Sequence, residues 1–379
     1  MSGVRLVVFV NRYFHPDHSA TSQIASDLAF HLASRGWDVI AITGRQQYDN
    51  PDARLAPSEL ARGVRIIRAW STRFGRATLF GRAIDYASFY LSAFAAILRR
   101  APRKSVVVAL TDPPLISIVA AMAATLRGAR LVNWLQDLFP EVAEALGMRP
   151  LRLLRRPRDW SLRRARRNIV LGDRMAERVP NVRVIHNWAD QALRPMPHPH
   201  DARFTAGYSG NLGRAHDAET IIGAMRLLPD IRFVFTGGGA QLERVRREAG
   251  PNVTFRPYAP REQLSESLSS ADVHLVSLQP SMEGLIVPSK FYGILAVARP
   301  VIFIGAKDGE LARLIEAHGC GAVIEQGDAA GLARVLQDLA NDRERAMEMG
   351  RRGLALYRER FAPERAFAQW ETVLEEAAR

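Results

Sequence analysis

Short runs of β-branched and apolar residues alternate with longer stretches of helical period along most of this chain. In the first half, residues 6–10, 38–43, 64–69, 105–110, 130–134, 168–171 and 182–186 have the length and composition of buried strands. Residues 22–35 set Ile24, Leu28 and Leu32 on one stripe of a helix that Gly36 ends. Such alternation is the signature of parallel βαβ units. A proline-rich stretch, 194–200 (RPMPHPH), then breaks every period and reads as a linker. Beyond it the pattern restarts, with strand-like segments at 204–209, 231–236, 253–257, 273–277, 300–304 and 322–324 and helical ones such as 242–247 and 310–317. A last helix, 363–378, carries Phe367, Trp370 and Val373 at helical spacing. The predicted fold is α/β, two tandem Rossmann-like domains with a ligand cleft between them, because open parallel sheets bind at the carboxyl ends of their strands. The expected limits are 1–190 for the first domain, 191–202 for the linker, 203–360 for the second domain and 361–379 for the final helix.

Length supports that division, since 379 residues exceed the roughly 250–300 at which one core usually splits. The single cysteine, Cys320, excludes an intramolecular disulfide framework and fits a reducing compartment. Between Gly319 and Gly321 it reads as a small buried residue. Residues 4–10 (VRLVVFV) run straight into polar NRYFHPDHS, so they read as a first strand and not as a secretory signal. The longest apolar stretches, 86–98 and 106–126, are respectively too short to span a bilayer and interrupted by TDPP, so no transmembrane helix is expected.

Charge changes the picture by its placement. The net charge is +13, yet residues 1–190 hold 29 Lys/Arg against 15 Asp/Glu while residues 191–379 hold 23 against 24. The excess is densest in Arg149, Arg152, Arg155, Arg156, Arg158, Arg163, Arg164, Arg166 and Arg167. Such a cluster attracts phosphate-bearing partners, either anionic lipid headgroups or nucleic acid; a solvated helical face is the plainer reading. Aromatic residues do not interleave with the arginines as a base-stacking platform requires, which argues against a specific nucleic-acid partner.

Three constellations carry candidate chemistry. Residues 233–241 (FVFTGGGAQ) are a strand ending in three glycines before a helix, where backbone N–H groups can approach a phosphate. Residues 208–217 (YSGNLGRAHD) form a second glycine turn, with Asn211, Arg214 and His216 as donors suited to phosphate oxygens. Neither is a Walker A loop, and the first strand lacks G-x-G-x-x-G, so phosphoryl and hydride transfer lose ground. The third, residues 281–296 (SMEGLIVPSKFYGILA), runs from a loop bearing Glu283 into a helix that begins near Pro288 or Ser289. Lys290 in its first turn opposes the helix dipole, so a pyrophosphate clamp explains it better than a surface role.

With these motifs the chain resembles the family 4 retaining glycosyltransferases of GT-B fold, in the branch of bacterial exopolysaccharide and O-antigen (colanic-acid-type) enzymes. The resemblance covers nearly the whole chain: 13–21 (YFHPDHSAT), 134–141 (WLQDLFPE), 186–190 (HNWAD), 210–213 (GNLG), the triple glycine and 288–293 (PSKFYG). It implies a nucleotide in the second domain, an acceptor on the first and a final helix crossing back to the first domain. It also implies transfer from a nucleotide-diphosphate sugar without metal or other cofactor, by front-face attack in which the departing phosphate takes the acceptor's proton. The implied acceptor is a polyprenyl-diphosphate-linked glycan, and the implied location is the cytoplasmic face of the plasma membrane, contacted through the Arg149 to Arg167 region.

Three departures shift the implied site. Glu283 matches the first of the family's two glutamates, but the second, near the ribose, falls on Gly293. The usual Arg and Lys of the glycine turn fall on Asn211 and His216. The glycine pair of the first loop is replaced by Ser19-Ala20. The implied catalytic residues are therefore Asp137, Glu283 and His18, and the implied donor contacts are Ser19, Ala20, Asn211, Arg214, Gly237, Gly238, Lys290 and Tyr292. Asp137 and Glu141 would share one helix face; Asp137 can equally be the N-cap of a helix starting at Leu138. His15 and His18 can be plain polar loop residues. A GT-B nucleotide-sugar epimerase is the alternative activity.

Overall fold

In the computed structural model, residues 5–48, 50, 52–75, 78–197 and 203–379 are described. The chain divides into two compact units, Met1–His186 with Ala366–Arg379, and Asn187–Arg365. The division thus falls at 186 and 365, where the sequence suggested 190 and 360. Residues 198–202 of the expected linker lie outside the described residues. Its first part is not slack, because the N–H groups of Arg194 and Met196 donate to the hydroxyls of Ser265 and Ser269 in the second unit (3.2 Å each).

The first unit runs β1 (Leu6–Val10), α1 (Ala20–Ser34), β2 (Asp38–Thr43), β3 (Ser58–Ala61), β4 (Val64–Arg68), α2 (Leu79–Arg100), β5 (Val106–Ala109), α3 (Ile116–Arg127), β6 (Arg130–Trp134), α4 (Glu141–Ala145), α5 (Arg155–Arg164), β7 (Arg167–Val170), α6 (Asp173–Ala176) and β8 (Val182–Val184). Its sheet has the order β3-β4-β2-β1-β5-β6-β7-β8 and is parallel except for β3. Every residue of β1 and β5 is buried, which is why these strands read as unbroken apolar runs. Strand β3 (SELA) escaped the sequence reading because its residues are mostly exposed; it is an edge hairpin arm, turned through Arg62 and Gly63 at positive φ.

The second unit runs β9 (Thr205–Asn211), α7 (Glu219–Leu227), β10 (Arg232–Gly238), α8 (Leu242–Arg247), β11 (Val253–Arg256), α9 (Leu264–Ser269), β12 (Val273–Ser277), α10 (Lys290–Ala296), β13 (Val301–Ile304), α11 (Glu310–His318), β14 (Gly321–Ile324), α12 (Ala329–Asn341) and α13 (Arg343–Leu356). The sheet order β11-β10-β9-β12-β13-β14 is wholly parallel and doubly wound. Cys320 is buried, as read.

The last helix, α14 (Pro363–Ala378), begins in the second unit, while its residues from Ala366 onward count with the first. There Trp370 is fully buried against Trp134, ring centroids 4.5 Å apart, and His31 of α1 meets the Glu371 carboxylate at 2.8 Å. Among the described residues no helix is long and apolar enough to cross a membrane.

Candidate active site

In the second unit the strand order reverses between β9 and β12, and an open sheet leaves its binding crevice at the carboxyl ends of such strands. Both glycine turns end there. Strands β9 and β10 stay paired through Gly210↔Gly237 and Asn211↔Gly238, so the turns lie side by side. The pairing demands glycine: Gly237 has φ +128°, and a Cβ there would stand 2.5 Å from the Gly210 carbonyl oxygen. The Leu212 N–H closes the turn on the Gly238 carbonyl at 2.7 Å. The Tyr258 ring lies over Gly237 and Gly238. Arg214 extends into solvent from the same turn, and among the described residues it has no carboxylate partner.

Lys290 opens α10 and reaches across to β9. Its Nζ donates to the Tyr208 hydroxyl (2.5 Å) and the Asn211 carbonyl (3.4 Å), and sits 3.7 Å from the Tyr208 ring centroid. It is half-buried, and desolvation holds its ammonium down to about 7 from an ordinary 10.5. Burial likewise pushes the Tyr208 hydroxyl up, so this tyrosine stays neutral.

His216 is a donor by sequence but not by structure. Its Nδ1 lies 2.5 Å from the Ser277 carbonyl oxygen, which can only accept, so Nδ1 carries the proton and Nε2 a lone pair. Burial, then the Lys290 charge, holds the ring down to about 4. A neutral ring with that tautomer offers a phosphate no N–H.

The first unit holds the remaining sequence candidates. Helix α1 starts at Ala20 with Ser19 as N-cap, and the Ser19 hydroxyl makes no capping bond. The N–H of Ser19 goes instead to the buried carboxylate of Asp17 (2.8 Å), leaving the first-turn N–H groups of Ala20 and Thr21 without an intrahelical acceptor. His18 is exposed beside them.

Asp137 follows β6, four residues before α4, so it neither caps that helix nor shares its face with Glu141. Glu141 is committed elsewhere, accepting from Arg158 Nη1 at 2.9 Å. Asp137 borders a cavity of about 20 Å³ with Thr111, Ser117, Leu138, Phe139 and Arg158, space for one water or one hydroxyl. Its Oδ1 is buried with no hydrogen-bond partner. Burial pushes the carboxyl up to about 6, against a hydrogen bond from the Thr111 side chain.

Two family descriptions match this chain: Glycosyl transferase 4-like domain over residues 19–188 and Glycosyl transferases group 1 over 192–355. The chain is 31% identical over 269 residues to the probable glycosyltransferase WbjE of Pseudomonas aeruginosa, covering 63% of this chain and 67% of that protein. The chain belongs to the GT-B family 4 glycosyltransferases. This glycosyltransferase is also 32% identical over 115 residues to the putative colanic acid biosynthesis glycosyl transferase WcaI of Escherichia coli, covering 29% and 28% of the two chains. Its fold matches that of HepE from Anabaena, solved in complex with UDP-glucose, with a TM-score of 0.71, 15% identity and coverage of 98% and 99%.

Two site residues expected of such a glycosyltransferase stand elsewhere. Tyr292 is buried, its ring 5.6 Å from Phe291 and 5.1 Å from Phe361, so it packs the unit and presents nothing to a ligand. Glu283 accepts the Glu310 N–H at 2.7 Å and lies against Gly309, so its carboxylate caps α11. Gly293, where the second family glutamate would stand, has the apolar side chains of Leu193 and Leu268 around it. Tyr208 and the Ser277 carbonyl were not singled out in the sequence. Both are 0–2% exposed residues of strands, and only the pairing of β9 with β12 brings them to Lys290 and His216.

Proposed function

We propose that this glycosyltransferase moves a sugar from a nucleoside-diphosphate sugar to a lipid-linked glycan acceptor in cell-surface polysaccharide synthesis, with retention of configuration and without a divalent metal. One observation carries the donor half: a desolvated ammonium, Lys290, aimed at two adjoining glycine turns. Diphosphate oxygens would meet that cation, Arg214, and the backbone N–H groups around Gly237, Gly238 and Asn211; in the first unit, the opening of α1 at Ser19 and Ala20 suits an anion by itself. Transfer cleaves the bond between the anomeric carbon and the phosphate oxygen, and the departing diphosphate takes the acceptor hydroxyl's proton. Asp137 would orient that hydroxyl, with His18 at the loop beside α1. The relative HepE, solved with UDP-glucose, supports the donor class, and the name of WcaI supports the polysaccharide reading. The family matches favour transfer over epimerisation. A thermal-shift panel of UDP-, GDP- and ADP-sugars tests the donor, since a ligand at 100 times its Kd adds about 2.7 kcal/mol; no shift with any of them would sink this reading.

The membrane half of the proposal rests on the first unit. Arg158, Arg155 and Arg167 are neutralised by Glu141, Glu144 and Glu376, while Arg149, Arg152, Arg156, Arg163 and Arg166 are exposed. Helices α2, α3 and α5 pack side by side, α5 tied to α3 by Arg164 and Thr125, and they and the preceding turn expose Leu91, Leu126, Leu153 and Trp160. Apolar side chains among exposed arginines suit an anionic bilayer surface. Neutralising Arg152, Arg156 and Arg163 to glutamine should weaken flotation with anionic vesicles by about 1 kcal/mol per site; unchanged flotation would remove the membrane contact.

A further inference from the structure

A second cavity, of about 460 Å³, opens in the first unit against Arg45, Gln46, Trp70, Thr72, Arg73 and Phe74. Arg45 and Trp70 each stand two residues past the ends of β2 and β4, at the carboxyl edge of the sheet, where open α/β sheets bind ligands. None of these residues belongs to the donor site.

Its rim holds large aromatics in water. Trp70 is 57% and Phe74 64% exposed, yet the loop that bears them is fixed. The buried carboxylate of Asp85 accepts from the Thr72 hydroxyl (2.7 Å) and from the N–H groups of Phe74 (2.9 Å) and Gly75 (3.0 Å), while the Thr72 N–H donates to Ser88 (2.9 Å). A loop stapled to a helix by a buried carboxylate, displaying two apolar rings, is organised for contact. Gln46, also lining the cavity, is equally set: buried Arg12 donates to its Oε1 (3.0 Å) and lies over the rings of Tyr13 and Tyr86.

Charge selects the ligand. Arg45 donates through Nε to the Arg68 carbonyl (3.3 Å), which orients the guanidinium and, among the described residues, leaves both terminal nitrogens available. Among the described residues neither Arg45 nor Arg73 has a carboxylate partner. Planar guanidinium groups take phosphate oxygens in pairs, and aromatic faces take the C–H face of a sugar ring.

We propose that this cavity binds a sugar phosphate, the ring on Trp70 and Phe74 and the phosphate on Arg45 and Arg73, and so docks the acceptor. Its role as acceptor site rests on the function proposed above; its ligand chemistry does not. The test uses fluorine NMR on protein carrying 5-fluorotryptophan, with the Trp70 resonance among the six tryptophans assigned by Trp70→Phe. N-acetylglucosamine 1-phosphate should shift that resonance saturably, and N-acetylglucosamine or inorganic phosphate alone should bind about ten-fold more weakly or worse. The double variant R45Q/R73Q, with unchanged Tm, should lose about ten-fold in affinity for the sugar phosphate. A still Trp70 resonance, equal affinity for inorganic phosphate alone, or an unaltered double variant would each overturn the proposal. Slow hydrolysis of a nucleotide sugar without acceptor, followed in the same samples, separates the two readings: hydrolysis that persists beside a still Trp70 overturns the cavity and not the donor site.

Discussion

Replacing Lys290 by methionine should stabilise this enzyme while impairing it. In the folded chain the Lys290 ammonium titrates at about 7, against 10.5 when unperturbed, because it is desolvated beside Tyr208. The unfolded chain therefore binds more protons than the folded one between those values, and stability rises with pH across that window. Each pH unit of the difference corresponds to about 1.4 kcal/mol, and partial exposure reduces the total to the order of 1–3 kcal/mol at pH 7. Lys290→Met removes that penalty without changing the volume much. The variant should melt several degrees higher at pH 7, at about 2–4 °C per kcal/mol for a unit of this size, with the advantage vanishing towards pH 10. Donor binding should move the opposite way. A charge-assisted hydrogen bond of about 1.5–3 kcal/mol lost to methionine means roughly ten- to hundred-fold weaker binding. In the wild type the Kd for a nucleotide sugar should rise about ten-fold per pH unit above 7 until it levels off at the roughly ten- to hundred-fold loss set by the uncharged side chain, because the ammonium is the form that holds the diphosphate. Calorimetric melting from pH 6 to 10 and titration of a nucleotide sugar over the same range measure both. A methionine variant that melts no higher at pH 7 and binds donor as the wild type does would refute the reasoning.

Asp137→Asn should also raise Tm at pH 7: its carboxyl titrates at about 6 when folded and 3.8 when unperturbed, so stability is lost as pH rises through that interval, and the amide abolishes the loss. If the carboxylate orients the acceptor, wild-type turnover falls below pH 6 and the variant is impaired at every pH; a wild-type rate profile in the variant would exclude that role. Glu283→Ala should cost about 1 kcal/mol by leaving the Glu310 N–H uncapped, read by calorimetry, while Glu283→Gln keeps an acceptor and should hold Tm, so that its turnover isolates any contact with the donor sugar. Trp370→Ala, which empties the fully buried site against Trp134, should cost about 3–5 kcal/mol in chemical denaturation of the first unit.

What the sequence disclosed follows from which residues answer to local rules. Buried parallel strands are apolar on both faces, so most of them could be located to within a residue or two, while SELA at β3 carries no such pattern. The glycine turns were legible because a positive φ at Gly210 and Gly237 admits little else. Side-chain roles were harder, since they depend on direction and on partners far along the chain. Lys290 and Tyr292 are two residues apart, yet about 200° of helix rotation turns one towards Tyr208 and the other into the Phe291 and Phe361 rings. The carboxylate of Glu283 faces an N–H group 27 residues later, and although the helix at 310–317 was legible, nothing local announces that Glu283 caps it.

Charge obeys the same distinction. Nine arginines crowd residues 149–167, but a carboxylate brought in by the fold decides which of them still act at a distance: Glu141, Glu144 and Glu376 neutralise three. At the donor site the selection runs in reverse. His216 looks cationic beside a glycine turn, and the Ser277 carbonyl fixes it as a neutral ring, whereas Lys290 keeps its proton near neutrality only marginally because it is desolvated and no carboxylate among the described residues supports it. An ammonium so poorly compensated gains most from an arriving diphosphate, since the anion supplies the counter-charge that folding withheld. The cost to stability and the capacity to bind are then two consequences of one desolvated side chain, and they must change sign together when it is replaced.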